Sequence, residues 1–205
     1  MSDFKVVFTP VRKNQIDSCP GGGWLLESGD QRTAFLCTSN TGNGNGNANG
    51  NDAKYQNGKR PLDEFDILFA FETASSSVFE IQKSQLAQQK VATQALLNAA
   101  QILIRDHTNA SQQLQNLAAA KGLQLGARMS PTHEALLAFL QPLNGSEFEL
   151  SWLTIQVHAH EKAIELFKAY AREGHDRDFR HFAAETLPVL QKHLHLLQKL
   201  CRRKL

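Results

Sequence analysis

From Leu62 to Cys201 apolar and small residues return every three or four positions, and the pattern breaks only at glycine, proline or a capping residue. Steps of that size keep one face of a helix apolar, and they exclude strands, whose side chains alternate with period two. Asp63 and Glu64 follow Pro61 and open a first helix, with acids in its first turn, that runs to about Val91. Thr93 stands where it can cap a second helix, stopped by Gly122. Ser130-Pro131 with Glu134 opens a short third helix, with proline at its first position. Ser146-Glu147-Phe148-Glu149 reads as a capping box for a fourth helix, which Gly174 ends. Asp176 caps a fifth that continues to about Cys201, and Pro188 inside it predicts a kink. Residues 62–91, 94–121, 146–173 and 177–201 are each long enough to span about 40 Å, and residues 131–141 form a short crossover. Short turns make sequence neighbours antiparallel. The expected fold class is therefore all-α, an antiparallel four-helix bundle with a short crossover helix over residues 62–201.

The first 61 residues follow no such rule. Val6-Val7-Phe8, Trp24-Leu25-Leu26 and Ala34-Phe35-Leu36 are short apolar runs, and Ser28-Gly29-Asp30 is turn chemistry between the last two. A small hairpin or plain disorder both fit. Residues 39–59 are dominated by alternating glycine and asparagine, which build no core and read as a flexible linker. The chain is thus expected to divide into an N-terminal extension, 1–61, and a helical domain, 62–201.

Charge narrows the function. Residues 1–61 carry seven Lys/Arg and five Asp/Glu, and residues 62–205 carry fifteen of each. A neutral helical domain lacks the basic face that a nucleic-acid binder needs. Arg202-Arg203-Lys204 is the one dense basic run, and it suits a helix C-terminus. Cys19, Cys37 and Cys201 are too few, and odd in number, for a disulfide framework. No run of about 18 apolar residues predicts a transmembrane segment, and Lys5, Arg12 and Lys13 are not followed by the apolar stretch of a signal peptide. The pattern identifies no partner, and it is compatible with a homo-oligomer.

The helical stripes carry the candidate site. One reads Leu96, Ala100, Leu103, His107, Ala110, Leu114, Leu117. Another reads Leu153, Gln156, His160, Ala163, Phe167, Tyr170, and the last reads Phe179, Ala183, Thr186, Leu190, His193, Leu197, Leu200. His107 lies about 14 residues before the end of its helix, while His160 and His193 lie about 14 and 16 residues after the start of theirs. Alternating helix direction brings all three near mid-height, and Glu80 on the first helix falls near the same level. Neutral imidazole and carboxylate suit a divalent metal such as zinc, iron or manganese. The same four side chains could equally form a hydrogen-bonded core that fixes helix register, with a His donating to a carboxylate or to Gln156.

Other chemistry is scarce. Di-iron bundles use Glu-x-x-His on two helices. The residues three before His107, His160 and His193 are Ile104, Val157 and Leu190, so a ferritin-type oxidation centre is not expected. His133, His158, His175, His181 and His195 are expected at the surface. Asp106 faces away from His107, towards Arg105 or a neighbouring helix. No Ser-His-Asp, Cys-His or phosphate-loop signature points to an enzyme.

Several segments, in order, carry a resemblance. They are Phe79-Glu80-Ile81-Gln82-Lys83-Ser84-Gln85-Leu86-Ala87, Ile104-Arg105-Asp106-His107-Thr108-Asn109-Ala110 and Leu117-Ala118-Ala119-Ala120-Lys121-Gly122, followed by Asn144-Gly145-Ser146-Glu147-Phe148, His160-Glu161-Lys162-Ala163-Ile164-Glu165-Leu166-Phe167 and Thr186-Leu187-Pro188-Val189-Leu190-Gln191-Lys192-His193-Leu194. Together they resemble the bacterial ferritin-like family called domain of unknown function 4142, labelled exported or outer-membrane proteins. The resemblance implies a ferritin-like bundle and sets Glu80, His107, His160 and His193 on the family's recurrent positions. It implies no general activity. It suggests the bacterial envelope, whereas the start of this chain looks unlike a signal peptide and leaves a cytoplasmic location open.

Overall fold

The computed structural model describes residues 6–11, 23–28, 31–37 and 61–204. Two compact units divide the chain. One takes Met1–Pro61 with Ala118–Gln124, and the other takes Leu62–Leu117 with Leu125–Leu205. In the first, strands β1 (Val6–Val11), β2 (Gly23–Ser28) and β3 (Gln31–Cys37) form an antiparallel sheet in that order. Leu26 pairs with Ala34 and Leu25 with Phe35, which is the hairpin the turn chemistry allows, and β1 adds a third strand with Phe8 opposite Leu26. The Gly/Asn-rich segment 39–59 lies outside the described residues.

The described residues after Pro61 are all-helical, with five helices: α1 (Glu64–Lys90), α2 (Gln94–Ala119), α3 (Pro131–Leu140), α4 (Gly145–Glu173) and α5 (Arg177–Arg202). Four of them begin or end for a local reason. Asp63 caps α1 and exchanges hydrogen bonds with Asp66, so one capping box satisfies two otherwise orphaned N–H groups. Ser130 accepts from the His133 N–H ahead of Pro131, and Asp176 accepts from Asp178 and Phe179. Gly122, at φ +76°, closes α2 with a Leu123 N–H to Ala118 carbonyl bond.

One expectation needs correction. The Ser146 capping box does not form: α4 starts one residue earlier, after Asn144, with Gly145 at a positive φ of 56°. Glu149, which would have completed that box, instead accepts the Ala92 N–H at 3.0 Å and pairs with Lys204. A buried carboxylate gains more from a tertiary donor and a cation than from its own helix start. Pro188 lies inside α5, and the helix continues through it. Proline has no N–H for Ala184, and because Ala184 is exposed its carbonyl can turn to water.

Packing is organised in layers along the helices. At one end Phe69 stacks on Tyr170 with centroids 3.8 Å apart, and Phe65, Phe167, Phe179 and Phe182 complete an aromatic cluster. Buried Asp66 ties this end together, accepting from Tyr170 Oη at 2.5 Å and from the His175 and Asp176 N–H groups of the α4–α5 turn. At the other end Ala87, Leu96, Ala100, Leu103, Leu140, Phe148, Trp152, Leu153, Leu197 and Leu200 form an apolar cluster fed by all five helices. Lys90 fastens the outer edge there by donating to the carbonyls of Gln141 and Leu143. Between the clusters the core turns polar.

Candidate metal centre

The polar layer contains Glu80 and Lys83 from α1, His107 from α2, Gln156 and His160 from α4, and His193 from α5, all buried. Each sits at the helical step where the flanking residues are core. Leu103 precedes His107 by four positions, Leu153 precedes Gln156 by three, and Leu190 and Leu197 bracket His193. The backbone that delivers the polar groups is therefore held by apolar packing on both sides.

The three imidazoles form a nearly equilateral triangle, with ring centroids 5.6, 5.6 and 5.5 Å apart. One potential ligand nitrogen from each lies within 4.8 Å of the others. Hydrogen bonds outside the triangle turn two of the rings. His160 Nδ1 donates to the Gln156 carbonyl at 2.9 Å, which leaves Nε2 with a lone pair. His193 Nε2 donates to Asp106 Oδ2 at 2.9 Å, which leaves Nδ1 with one. A carboxylate or backbone carbonyl holding the far nitrogen in this way fixes the tautomer and raises the basicity of the near one. Asp106 meets both partners that its sequence position allowed, because Arg105 Nε also donates to it at 2.7 Å.

The nitrogens left over, His107 Nε2, His160 Nε2 and His193 Nδ1, are buried without a hydrogen-bond partner among the described residues, as are Glu80 Oε2 and Gln156 Oε1. Each such atom costs on the order of 1–3 kcal/mol if nothing satisfies it. Burial, against the attraction of Glu80, drives the His107 pKa down to about 3, and burial likewise lowers that of His160. Both rings are thus neutral near pH 7, the form in which imidazole donates a lone pair.

Glu80 sits beside the triangle rather than in it. Its Oε1 is 2.8 Å from Lys83 Nζ and 3.8 Å from His160 Nδ1, and its Oε2 is 3.9 Å from His107 Nε2. Burial is the largest single influence and opposes its ionisation, but Lys83, His160 and His107 together outweigh it, and the carboxyl falls to about 2. Lys83 is fully buried, lies 4.2 Å over the Phe79 ring, and is lowered from its ordinary value by burial despite Glu80. Sequence reasoning missed it. The available signal was its spacing, since Glu80, Lys83, Ser84 and Ala87 follow a helical core step of three, one and three residues.

Of the five histidines expected at the surface, His158, His175, His181 and His195 are exposed, and His175 pairs with Asp63. His133 corrects the expectation. It is half-buried, stacked on Phe79 with centroids 4.8 Å apart, and Ser75 Oγ lies 2.8 Å from its Nδ1. Its place at the start of α3 looked exposed in sequence, but α3 lies against α1.

An all-helical domain with a buried three-histidine cluster is the class that these features define. The model of the domain of unknown function DUF4142 matches residues 52–200, and the chain belongs to that family. No curated protein matches it significantly. Among solved structures, the crystal structure of a DUF305 fragment from Deinococcus radiodurans is similar at 13% identity and a TM-score of 0.63, covering 70% of this chain and 99% of that one. A DUF305 protein from Streptomyces coelicolor is similar at 13% identity and a TM-score of 0.58, covering 68% and 91%. At these identities the likeness is one of fold.

Proposed function

We propose that residues 62–201 form a ferritin-like four-helix bundle that holds one divalent metal ion, zinc, iron or manganese, on His107, His160 and His193, with Glu80 beside them as a carboxylate ligand. The observation that carries this reading is the cluster of three buried histidines from three helices, each offering a ligand nitrogen within 4.8 Å of the others and each with a ring nitrogen that has no hydrogen-bond partner among the described residues. A tetrahedral ion with bonds of about 2.0–2.1 Å wants nitrogens roughly 3.4 Å apart, so each would move by about 0.8 Å from a 4.8 Å triangle. Small ring rotations supply that. The unpartnered Glu80 Oε2 lies on the His107 side and offers the fourth donor. With no Glu-x-x-His pair to hold a second ion, the chemistry is that of a metal-holding, stress-related protein rather than a di-iron oxidase. Residues 1–61 are then an extension of separate role, and the family resemblance favours the bacterial envelope.

The test is a zinc titration of chelator-treated protein by calorimetry, with metal analysis of the purified chain for zinc, iron and manganese. Wild type should take up a single ion per chain, and His160→Ala should lose it while keeping its helical circular dichroism. A wild-type protein that ignores all three metals, or a His160→Ala variant that binds as tightly, overturns the reading. A second reading has support in the bonds from His160 to Gln156 and from His193 to Asp106. They also suit a purely structural layer in a non-enzymatic envelope or interaction module. It predicts the same metal indifference, with the histidine variants affecting stability alone.

A further inference from the structure

A site built only to bind a cation would not bury an ammonium group next to its carboxylate. Lys83 Nζ stands 2.8 Å from Glu80 Oε1, and both side chains are shut off from solvent. The other oxygen of the same carboxylate faces His107 and has no hydrogen-bond partner. One carboxylate thus lies between two claimants: a lysine already in place on one side, and the open side of the histidine triangle on the other. We propose that Lys83 is a resident competitor for Glu80, a built-in cation that weakens the hold of the three-histidine site on a divalent ion and keeps that ion exchangeable.

The inference rests on the metal reading above, and its physical basis is charge and geometry. An ion on the histidines would be drawn to Glu80 and repelled by Lys83, in a layer where low polarity strengthens both effects. Asp106 supplies a further negative charge behind His193, partly shared with exposed Arg105. Lys83 is held where it is by more than Glu80. It packs over Phe79, and the stem of the side chain lies wholly in the core. It therefore cannot swing to solvent when an ion arrives, and its charge acts on every occupant.

The experiment compares zinc affinity at one pH and ionic strength for wild type, Lys83→Met, Glu80→Gln and the double variant Glu80→Gln/Lys83→Met. Methionine keeps the length and apolar stem of lysine and removes its charge. Lys83→Met should bind zinc at least about tenfold more tightly than wild type, the scale set by removing a buried like charge that holds the site's carboxylate. Affinity that is unchanged or weaker in folded Lys83→Met overturns the proposal. Where Lys83→Met fails to fold because Glu80 is left buried and unpaired, the decision passes to the other two variants. The double variant must then bind more tightly than Glu80→Gln alone, and equal or weaker binding overturns the proposal. Wild type and all variants failing to bind zinc, iron or manganese would instead overturn the metal reading, an outcome distinct from zinc-binding wild type with an indifferent lysine.

Discussion

Acidification of the metal-free protein from pH 7 to pH 5 tests whether the polar layer is closed to water. His107 is held near 3 and His133 near 4, each by burial, against an ordinary value of 6.5. In the unfolded chain both would take up a proton near pH 6.5, whereas in the fold both stay neutral until much lower pH. Between those limits the unfolded state binds more protons, so stability is full above pH 6.5 and falls as pH drops towards 4 and then 3. Linkage from pH 7 to pH 5 gives a loss of about 2 kcal/mol for each ring, or about 4 kcal/mol together. His160, lowered by burial as well, adds in the same direction. Glu80 does not obscure the effect, because it titrates near 2 in the fold and ordinarily at 4.5, below this window, whereas Glu72, raised by burial, acts in the opposite direction. For a domain of this size about 4 kcal/mol lowers Tm by roughly 10 °C. Thermal or urea melts in chelator, read at half-unit steps of pH, measure it. His107→Gln should remove a large share of the slope. A flat profile from pH 7 to pH 5, or stability that rises on acidification, would refute the argument that these rings are buried and neutral.

Three further outcomes follow from the same contacts. Asp106→Asn keeps the shape of the side chain but weakens its grip on the His193 Nε2 proton. Zinc affinity should drop about 10- to 100-fold by calorimetry with the helical signal intact. Asp66→Ala strands the Tyr170 hydroxyl and two turn N–H groups, and a loss of about 3–5 kcal/mol should appear as a lower urea midpoint. Trp152→Ala, deep in the apolar cluster, should cost about 3–5 kcal/mol in the same melts and leave the zinc stoichiometry unchanged.

Helix boundaries were legible because their causes are local. Asp63, Ser130 and Asp176 cap the helices they precede, and Gly122 stops α2 with a positive φ. The misread boundary is instructive. Ser146 and Glu149 have the right spacing for a capping box, yet Glu149 turns to Ala92 and Lys204, residues distant in sequence. A local motif is only an offer, and a tertiary partner can outbid it. The seam positions Ala110, Leu117 and Ala163 are likewise only half-buried, because a stripe read from one helix does not reveal how closely its neighbours approach.

The sequence alone determined that His107, His160 and His193 each occupy a core-facing position, and helix direction put them at one height. Periodicity and chain polarity suffice for that. Only the tertiary structure decided which way each ring turns, since that depends on the Gln156 carbonyl behind His160 and the Asp106 carboxylate reaching His193 from another helix. Only it could bury Lys83 against Glu80 or lay His133 on Phe79. A long polar side chain at a core step can end in solvent or in the core. The choice rests with partners on other helices, which no spacing along one helix encodes.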